Sequence, residues 1–335
     1  MPVNFAPGAR RIGFALISLA ALICSTPVLP QTKIDLAIFH PERNAWTPTL
    51  KWWVEEVEKG TQGRVKFVPH YAGALVTLNE TLKAVRDASV PAGVISAAAV
   101  SGQMPAMAYL EAIGTLPAEP APLFEALNAL RPILEEQYRR QGVEFLWSQG
   151  SGGLIAMCRD RHLKAPADWK NRKVRAAGRW QAEQLRAMDV SPVSTDPSEQ
   201  YVALQNRTID CALSVAVLGS ALKLHEVAPK VTALRMPVNL SSYIINKGIY
   251  DKISAEDRAT IRKLSIEGDR RSAIHVAQAD SEAQALMKSQ KADIYTVTDA
   301  ERDALRKGIS PAFAKMDADG GEAGKQISTI VRRFW

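Results

Sequence analysis

The 335 residues carry 47% hydrophobic and 23% charged side chains, three cysteines and a formal net charge of +7. That balance excludes a disordered chain, and the length accommodates two ordinary domains of about 100 to 200 residues each. The positive charge is spread without a lysine or arginine block, which argues against a nucleic-acid or anionic-membrane partner and leaves a mild field attractive to anionic solutes.

At the N-terminus, Arg10 and Arg11 precede the apolar run Ile12 to Ile23, and no acid occurs before Asp35. This is the pattern of a secretory signal over residues 1–30, too short in its apolar part to span a bilayer, and it predicts an exported chain starting near Gln31. The small-x-small cleavage pattern is missing from Cys24-Ser25-Thr26-Pro27-Val28-Leu29-Pro30. Ala21-Leu22-Ile23-Cys24 is a poor lipoprotein box, because isoleucine stands directly before the cysteine. Losing the two arginines takes the charge from +7 to +5. No other stretch reaches the roughly 18 consecutive apolar residues of a membrane span, so no direct membrane insertion is expected after signal removal. Cys158 and Cys211 sit in apolar strand-like segments outside any CxxC or metal-spaced cluster. Two buried small hydrophobes is the favoured reading, and a disulfide in an oxidising compartment is the alternative.

From Lys33 the chain alternates short strands and helices. Lys33 to Phe39 and Val65 to Val68 read as strands, Thr49 to Lys59 and Leu78 to Ala88 as helices, and Gly93 to Ala99 as a small-residue strand. This rhythm predicts a mostly parallel sheet covered by helices, with ligands at the carboxyl ends of strands. His40 and Ser96 then stand in candidate positions. The plainer readings are a solvent-facing loop histidine and a small core serine. Leu123 to Arg140 is an amphipathic helix whose Leu127, Leu130 and Leu134 form a core stripe.

Val143 to Trp147 is a strand, and Ser148-Gln149-Gly150-Ser151-Gly152-Gly153 separates it from a second, Leu154 to Cys158. A glycine-rich link between strands suits a crossing between domains that absorbs a hinge rotation. It fails as a nucleophile elbow, with Gln149 where glycine is needed, and as a phosphate loop. Arg175 ends the short segment Lys173-Val174-Arg175 ahead of a small-residue turn. Held at a strand terminus, its planar fork can take a carboxylate through two parallel hydrogen bonds. Asp196, Pro197 and Glu199 read as the N-cap, first turn and capping-box acid of a helix through Gln205. Thr208 to Ser214, Val231 to Met236 and Ser241 to Asn246 read as strands, the last two leading back to the first domain. A helix from Ala255 to about Lys291 follows, with Gly268 as its weak point, ~50 Å long and able to run along both domains. Asp293 to Val297 and two helices, Asp299 to Met316 and Gly321 to Arg333, complete the chain.

Asp168-Trp169-Lys170-Asn171-Arg172-Lys173-Val174-Arg175 resembles the "D-L-K-G-x-K-I-R" element of TRAP-transporter solute-binding proteins of the dicarboxylate-binding (DctP) type. Ser191-Pro192-Val193, Glu199-x-Tyr201-x-Ala203-Leu204-Gln205 and Ile209-Asp210 fall at that family's spacing for "G-A-x-P-V", "E-x-Y-x-A-L-Q" and "V-D-G". Weaker matches run over nearly the whole mature chain. The resemblance implies an α/β, type II-like periplasmic binding protein with a hinged cleft between two lobes and a long helix bracing both. The lobes would comprise residues 31–150 with about 237–272, and 151–236 with about 273–335. It implies no enzyme and no cofactor or metal. The partners would be a small carboxylate captured by Arg175 and the TRAP membrane subunits that receive it. A membrane sensor kinase as recipient, and a secreted enzyme on the same fold, are the alternatives.

Four departures stand out: Asn171, Asp189 and Cys211 replace glycines of the family pattern, and Ala177 replaces a proline. The second ligand-binding arginine that some members carry in the segment Gly150 to Gly153 is absent, which points to a monocarboxylate. Ser214 stands where some members carry asparagine, and His40, Ser96 and Asn239 stand where others place polar contacts. Gln149 is a further candidate ligand contact. Trp147 and Trp180 either cover an apolar or aromatic ligand body or simply fill the core.

Overall fold

The computed structural model describes residues 1–4, 31–117, 119–195, 199–237 and 240–334. The expected signal segment beyond its first four residues, with Cys24, the Asp196 and Pro197 helix cap, and Asn239 lie outside the described residues. Among the described residues eleven short runs become strands: β1 (Thr32–Ala37), β2 (Val65–His70), β3 (Ala92–Ser96), β4 (Val143–Gly150), β5 (Gly153–Cys158), β6 (Lys173–Ala176), β7 (Ser191–Ser194), β8 (Cys211–Val215), β9 (Lys230–Pro237), β10 (Leu240–Asn246) and β11 (Asp293–Thr296). They form two mixed sheets, ordered β2-β1-β3-β10-β4 and β11-β9-β5-β8-β6-β7. In the first, β1 runs parallel to β2 and β3 while β10 is antiparallel to β3 and β4. In the second, β5 is antiparallel to β8 and β9. Each sheet is the centre of one lobe.

Among the described residues the chain passes between the sheets three times, and the first two passages, β4 to β5 and β9 to β10, are neighbours. Gly150 pairs with Leu240 at the end of the first sheet, and Gly153 pairs with Pro237 at the start of the second. The glycine-rich link is therefore a crossing, as its composition predicts. Gly152 has φ +104, a left-handed value that favours glycine, and a Cβ there would meet the carboxylate of Asp280. Asp280 accepts a hydrogen bond from the Gly153 amide, and burial pushes its carboxyl up to about 7.

Asp280 belongs to the helix Ala255–Ser289, whose length matches the sequence expectation. Its first half packs on β4 and on the helices Thr47–Gly60 and Pro120–Arg140, and its second half reaches the helix Ala216–Ala221 and β11. Gly268 has a packing reason: a Cβ there would stand 3.3 Å from the Trp147 indole. The indole presses on the helix backbone at that point and stacks on Tyr243, with ring centroids 4.0 Å apart.

Two expectations need correction. Cys158 and Cys211 are not two separate apolar side chains: β5 and β8 place them directly opposite in antiparallel register, with Cα atoms 4.3 Å apart, and they form a disulfide. Spacing of 53 residues in sequence concealed a contact that strand register creates. Replacing both cysteines with alanine is expected to cost about 2–4 kcal/mol in urea unfolding, because the bridge restrains a long loop of the unfolded chain. An unchanged midpoint would refute that role.

The second correction concerns the C-terminal stretch. The expected helix Asp299 to Met316 is two, Asp299–Ile309 and Pro311–Asp319, because Pro311 lacks the amide an interior position needs and opens a new helix. Ala312, Phe313, Met316, Ile327 and Val331 then share a hydrophobic cluster with Tyr109, Leu127 and Leu130. Tyr109 also donates to Asp317 at 2.6 Å.

Candidate functional site

The residues of the stretch from Asp168 to Asp210 are mostly structural pins. Asp168 accepts from the amides of Lys164 and Ala165, both at 2.9 Å. Asp210 accepts from the Lys173 amide at 2.8 Å, and the Asp210 amide donates back to the Lys173 carbonyl at 2.8 Å. Asn171 and Asp189, which stand in place of glycines, both have φ 60 and are joined by the Asn171 amide donating to the Asp189 carbonyl. Asparagine and aspartate are the non-glycine residues that best tolerate that region. These contacts hold β6 between β7 and β8, so that Arg175 is carried into the space between the sheets.

There it lines a cavity of about 300 Å³. The walls come from both lobes: Phe39, Trp46, Thr77, Asn79, Ser96 and Ser241 on one side, and Ser151, Arg175, Gln181, Thr195, Ser214 and Val215 among those on the other. Many of these positions follow the carboxyl ends of strands, where open α/β sheets leave a crevice. Arg175 is 5% exposed. Its Nε donates to the Thr195 carbonyl and its Nη1 to the Leu213 carbonyl, each at 3.1 Å, which fixes the guanidinium plane. Among the described residues lining the cavity it is the one charged side chain. A buried cation set in a polar and aromatic wall can receive one carboxylate.

Of the other expected site residues, Ser96 and Ser214 join Arg175 on the cavity wall. Ser96 has a second task, accepting from the Ala98 amide at 3.1 Å to cap the helix Ala97–Val100. Trp147 and Gln149 lie elsewhere. Two apart on β4, they share a covered face, where Trp147 stacks on Tyr243 and the Tyr243 hydroxyl donates to Gln149 at 3.1 Å. Trp180 is fully buried in a hydrophobic cluster that also holds Tyr109 and Phe313, with the Arg179 guanidinium 4.5 Å from its ring centroid. His40 is neither a solvent-facing loop residue nor a wall residue. It is 3% exposed among the rings of Phe39, Trp46 and Tyr71, and burial lowers its pKa to about 4, so it is neutral near pH 7.

The aromatic wall instead belongs to Phe39 and Trp46, which sequence reading passed over. Both flank the first strand's carboxyl end, the signal that singled out His40. Glu111 was also missed. Fully buried, it accepts from the Ser101 hydroxyl and from the Trp180 and Gln181 amides at 2.8 and 3.4 Å, while the Gln181 side chain donates to the Glu111 carbonyl and accepts from the Ala177 amide. A first-lobe glutamate thus holds a cavity-wall glutamine of the second lobe.

Burial raises the Glu111 carboxyl from 4.5 to about 7, against the opposing pull of those donors. A carboxyl raised on folding binds its proton more tightly in the native state. Its stabilising contribution is full below about 4.5 and is lost as pH rises through about 7. Unfolding free energy measured in urea should therefore be about 2 kcal/mol greater at pH 5.5 than at pH 8 from this group alone. Asp280 adds to the slope with the same sign. Glu111→Gln should remove roughly half of the gain, and an undiminished slope in that variant would contradict the assignment.

Among the described residues no group of three or more His, Cys, Asp or Glu is placed to hold a metal, and no helix is long and apolar enough to cross a membrane. The fold is that of known periplasmic binding proteins. An extracytoplasmic solute receptor of Bordetella pertussis that binds pyroglutamic acid superposes with a TM-score of 0.82 at 17% identity, covering 90% of this chain and 99% of that one. The periplasmic ectoine-binding protein of the TeaABC TRAP transporter of Halomonas elongata gives 0.82 at 17% identity over 90% and 100%. A solute-binding protein of Albidiferax ferrireducens is 24% identical over 237 residues, 66% of this chain and 68% of its own. Residues 36–319 match the DctP family model, bacterial extracellular solute-binding protein, family 7. The chain belongs to that family, the periplasmic solute-binding proteins of TRAP transporters.

Proposed function

We propose that the protein captures a small monocarboxylate in the cavity between its lobes, anchors it by a salt bridge to Arg175 and delivers it to the TRAP membrane subunits, without chemical turnover. The observation that carries this reading is the single charged wall residue, a buried arginine, in a cavity of about 300 Å³ bounded by both lobes. A second carboxylate would have no cationic partner on the described wall, and burying it unpaired is costly. Pyroglutamic acid, the ligand of the Bordetella receptor, carries one carboxyl group and fits the same description. The two adjacent crossings serve as the hinge, with residues 31–150 and 151–236 as the cores of the moving bodies. Ligand favours closure because only the closed state offers contacts to both walls.

A thermal-shift screen of the exported chain against small mono-, di- and sugar acids tests this directly. A selective monocarboxylate at a hundredfold excess over its Kd should stabilise the protein by about 2.7 kcal/mol. Larger shifts with dicarboxylates would eliminate the monocarboxylate, and shifts with neutral solutes alone would eliminate the salt bridge.

A further inference from the structure

We propose that Asp280 is a positioning residue of the binding site that takes up a proton as the anionic ligand enters, so that capture tightens as the medium becomes more acidic. The inference rests on the carboxylate reading of the cavity and adds a proton to the binding step.

Asp280 stands behind the cavity wall, at the crossing. Its carboxylate accepts from the Gly153 amide and fills the space that a Cβ would need at Gly152 or Gly153. Those two glycines lie between Ser151 and Leu154, both of which line the cavity. The long helix also packs on the helix Ala216–Ala221, which starts directly after the wall residues Ser214 and Val215 and contributes a third, Leu218. The side chain is thus within a residue or two of the wall along the chain at both places.

The carboxyl has no countercharge. No cation forms an ion pair with it among the described residues, and its Oδ1 is buried without a hydrogen-bond partner. The glycine-rich crossing, β5, β8 and the helix Ala216–Ala221 carry no charged residue at all. On the long helix the nearest titratable side chains are His275, five residues before, and Glu282, two after, so both stand on other faces. His275 is engaged with Thr49 at 2.7 Å. Across the wall the charged group is Arg175. Burial pushes the carboxyl up to about 7, with the Gly153 and Val217 amides pulling the other way, so near neutral pH it is divided between its two forms.

A negative charge arriving at Arg175 tips that balance. In the empty site the guanidinium favours an ionised Asp280; a bound carboxylate cancels that charge and sets a like charge across the wall. Asp280 then draws a proton from the buffer, while the ligand stays ionised and Arg175 stays charged. Because binding raises the affinity for the proton, the proton raises the affinity for the ligand by the same factor. Glu111 also lies near 7, but both of its oxygens are already hydrogen-bonded, one to Ser101 and the other to the Trp180 and Gln181 amides, which makes it the control.

Isothermal titration calorimetry at pH 7, with pyroglutamate and lactate as probes in buffers of different ionisation enthalpy, counts the protons. The wild-type protein should take up a few tenths of a proton, and its Kd should rise about three- to tenfold between pH 6 and pH 8.5. Asp280→Asn, an uncharged isostere of the proton-bound form, should take up none and bind at every pH about as tightly as the wild type does at pH 6. Glu111→Gln should keep both the uptake and the slope. Binding without proton uptake, or uptake that persists in Asp280→Asn, would overturn this inference and leave the arginine contact standing. Should Asp280→Asn fail to fold, uptake retained in Glu111→Gln supports the assignment and uptake lost there overturns it. Failure of these and all other small acids to bind would overturn the carboxylate reading as well.

Discussion

Replacing Arg175 with glutamine is expected to weaken binding of the cognate acid by about two to three orders of magnitude, the cost of leaving a desolvated carboxylate without its charged partner. Glutamine retains a donor but neither the charge nor the fork. Arg175→Lys should recover part of the loss, because an ammonium restores the charge yet cannot hold the Thr195 and Leu213 carbonyls and a carboxylate in one plane. Calorimetric titration of the three proteins gives the order, and circular dichroism checks that the fold persists. Losing the donors to those two carbonyls should lower stability by only about 1–3 kcal/mol. Undiminished affinity in the glutamine variant would remove Arg175 from the site.

The second large effect concerns stability. Arg131→Met is expected to cost about 3–5 kcal/mol in urea unfolding, since it leaves Asp269 buried as an unpaired charge. Both side chains are almost fully buried, Arg131 on the helix Pro120–Arg140 and Asp269 on the long helix. Arg131 donates to Asp269 and, at 2.9 Å, to the Leu146 carbonyl, while Asp269 also accepts from the Ser148 amide at 2.6 Å. The pair thus fastens the long helix to β4 just before the crossing at Gly150. Combining Arg131→Met with Asp269→Leu should recover much of the loss, because removing both charges removes the desolvation cost as well. A single variant that loses less than about 1 kcal/mol would reduce the pair to the worth of an exposed bridge such as Lys51 with Glu42.

The contrast between these two residues explains how much was legible beforehand. Arg175 could be found because its neighbours are local. The pins at Asp168, Asn171, Asp189 and Asp210 lie within the same stretch of chain, and the tolerance of Asn171 for positive φ followed from its residue type alone. Arg131 and Asp269 are 138 residues apart, and neither carries a local sign that it is paired. The same holds for Glu111, which meets Trp180 from a different lobe, and for Cys158 and Cys211, whose residue types fit two readings until β5 and β8 set the register.

The aromatic residues show the limit most clearly. Trp147 and Trp180 read from the sequence either as cover for a ligand or as core, because the side of a strand or helix that faces a cavity depends on what covers the opposite side. Tyr243 and the backbone at Gly268 cover Trp147, which turns that face into core. Phe39 and Trp46 remain to form the wall.

By itself, then, the sequence determined the alternation of strands and helices, the long helix, the glycine-rich crossing, and Arg175 with its family pattern, all written in periodicity, turn chemistry or short-range spacing. Only the tertiary structure decided the disulfide, the buried charges that tie helix to sheet, the residues against which the last helices pack, and which aromatic rings face the cavity. Those depend on pairings between segments far apart in the chain, where many partners are chemically acceptable and packing selects one.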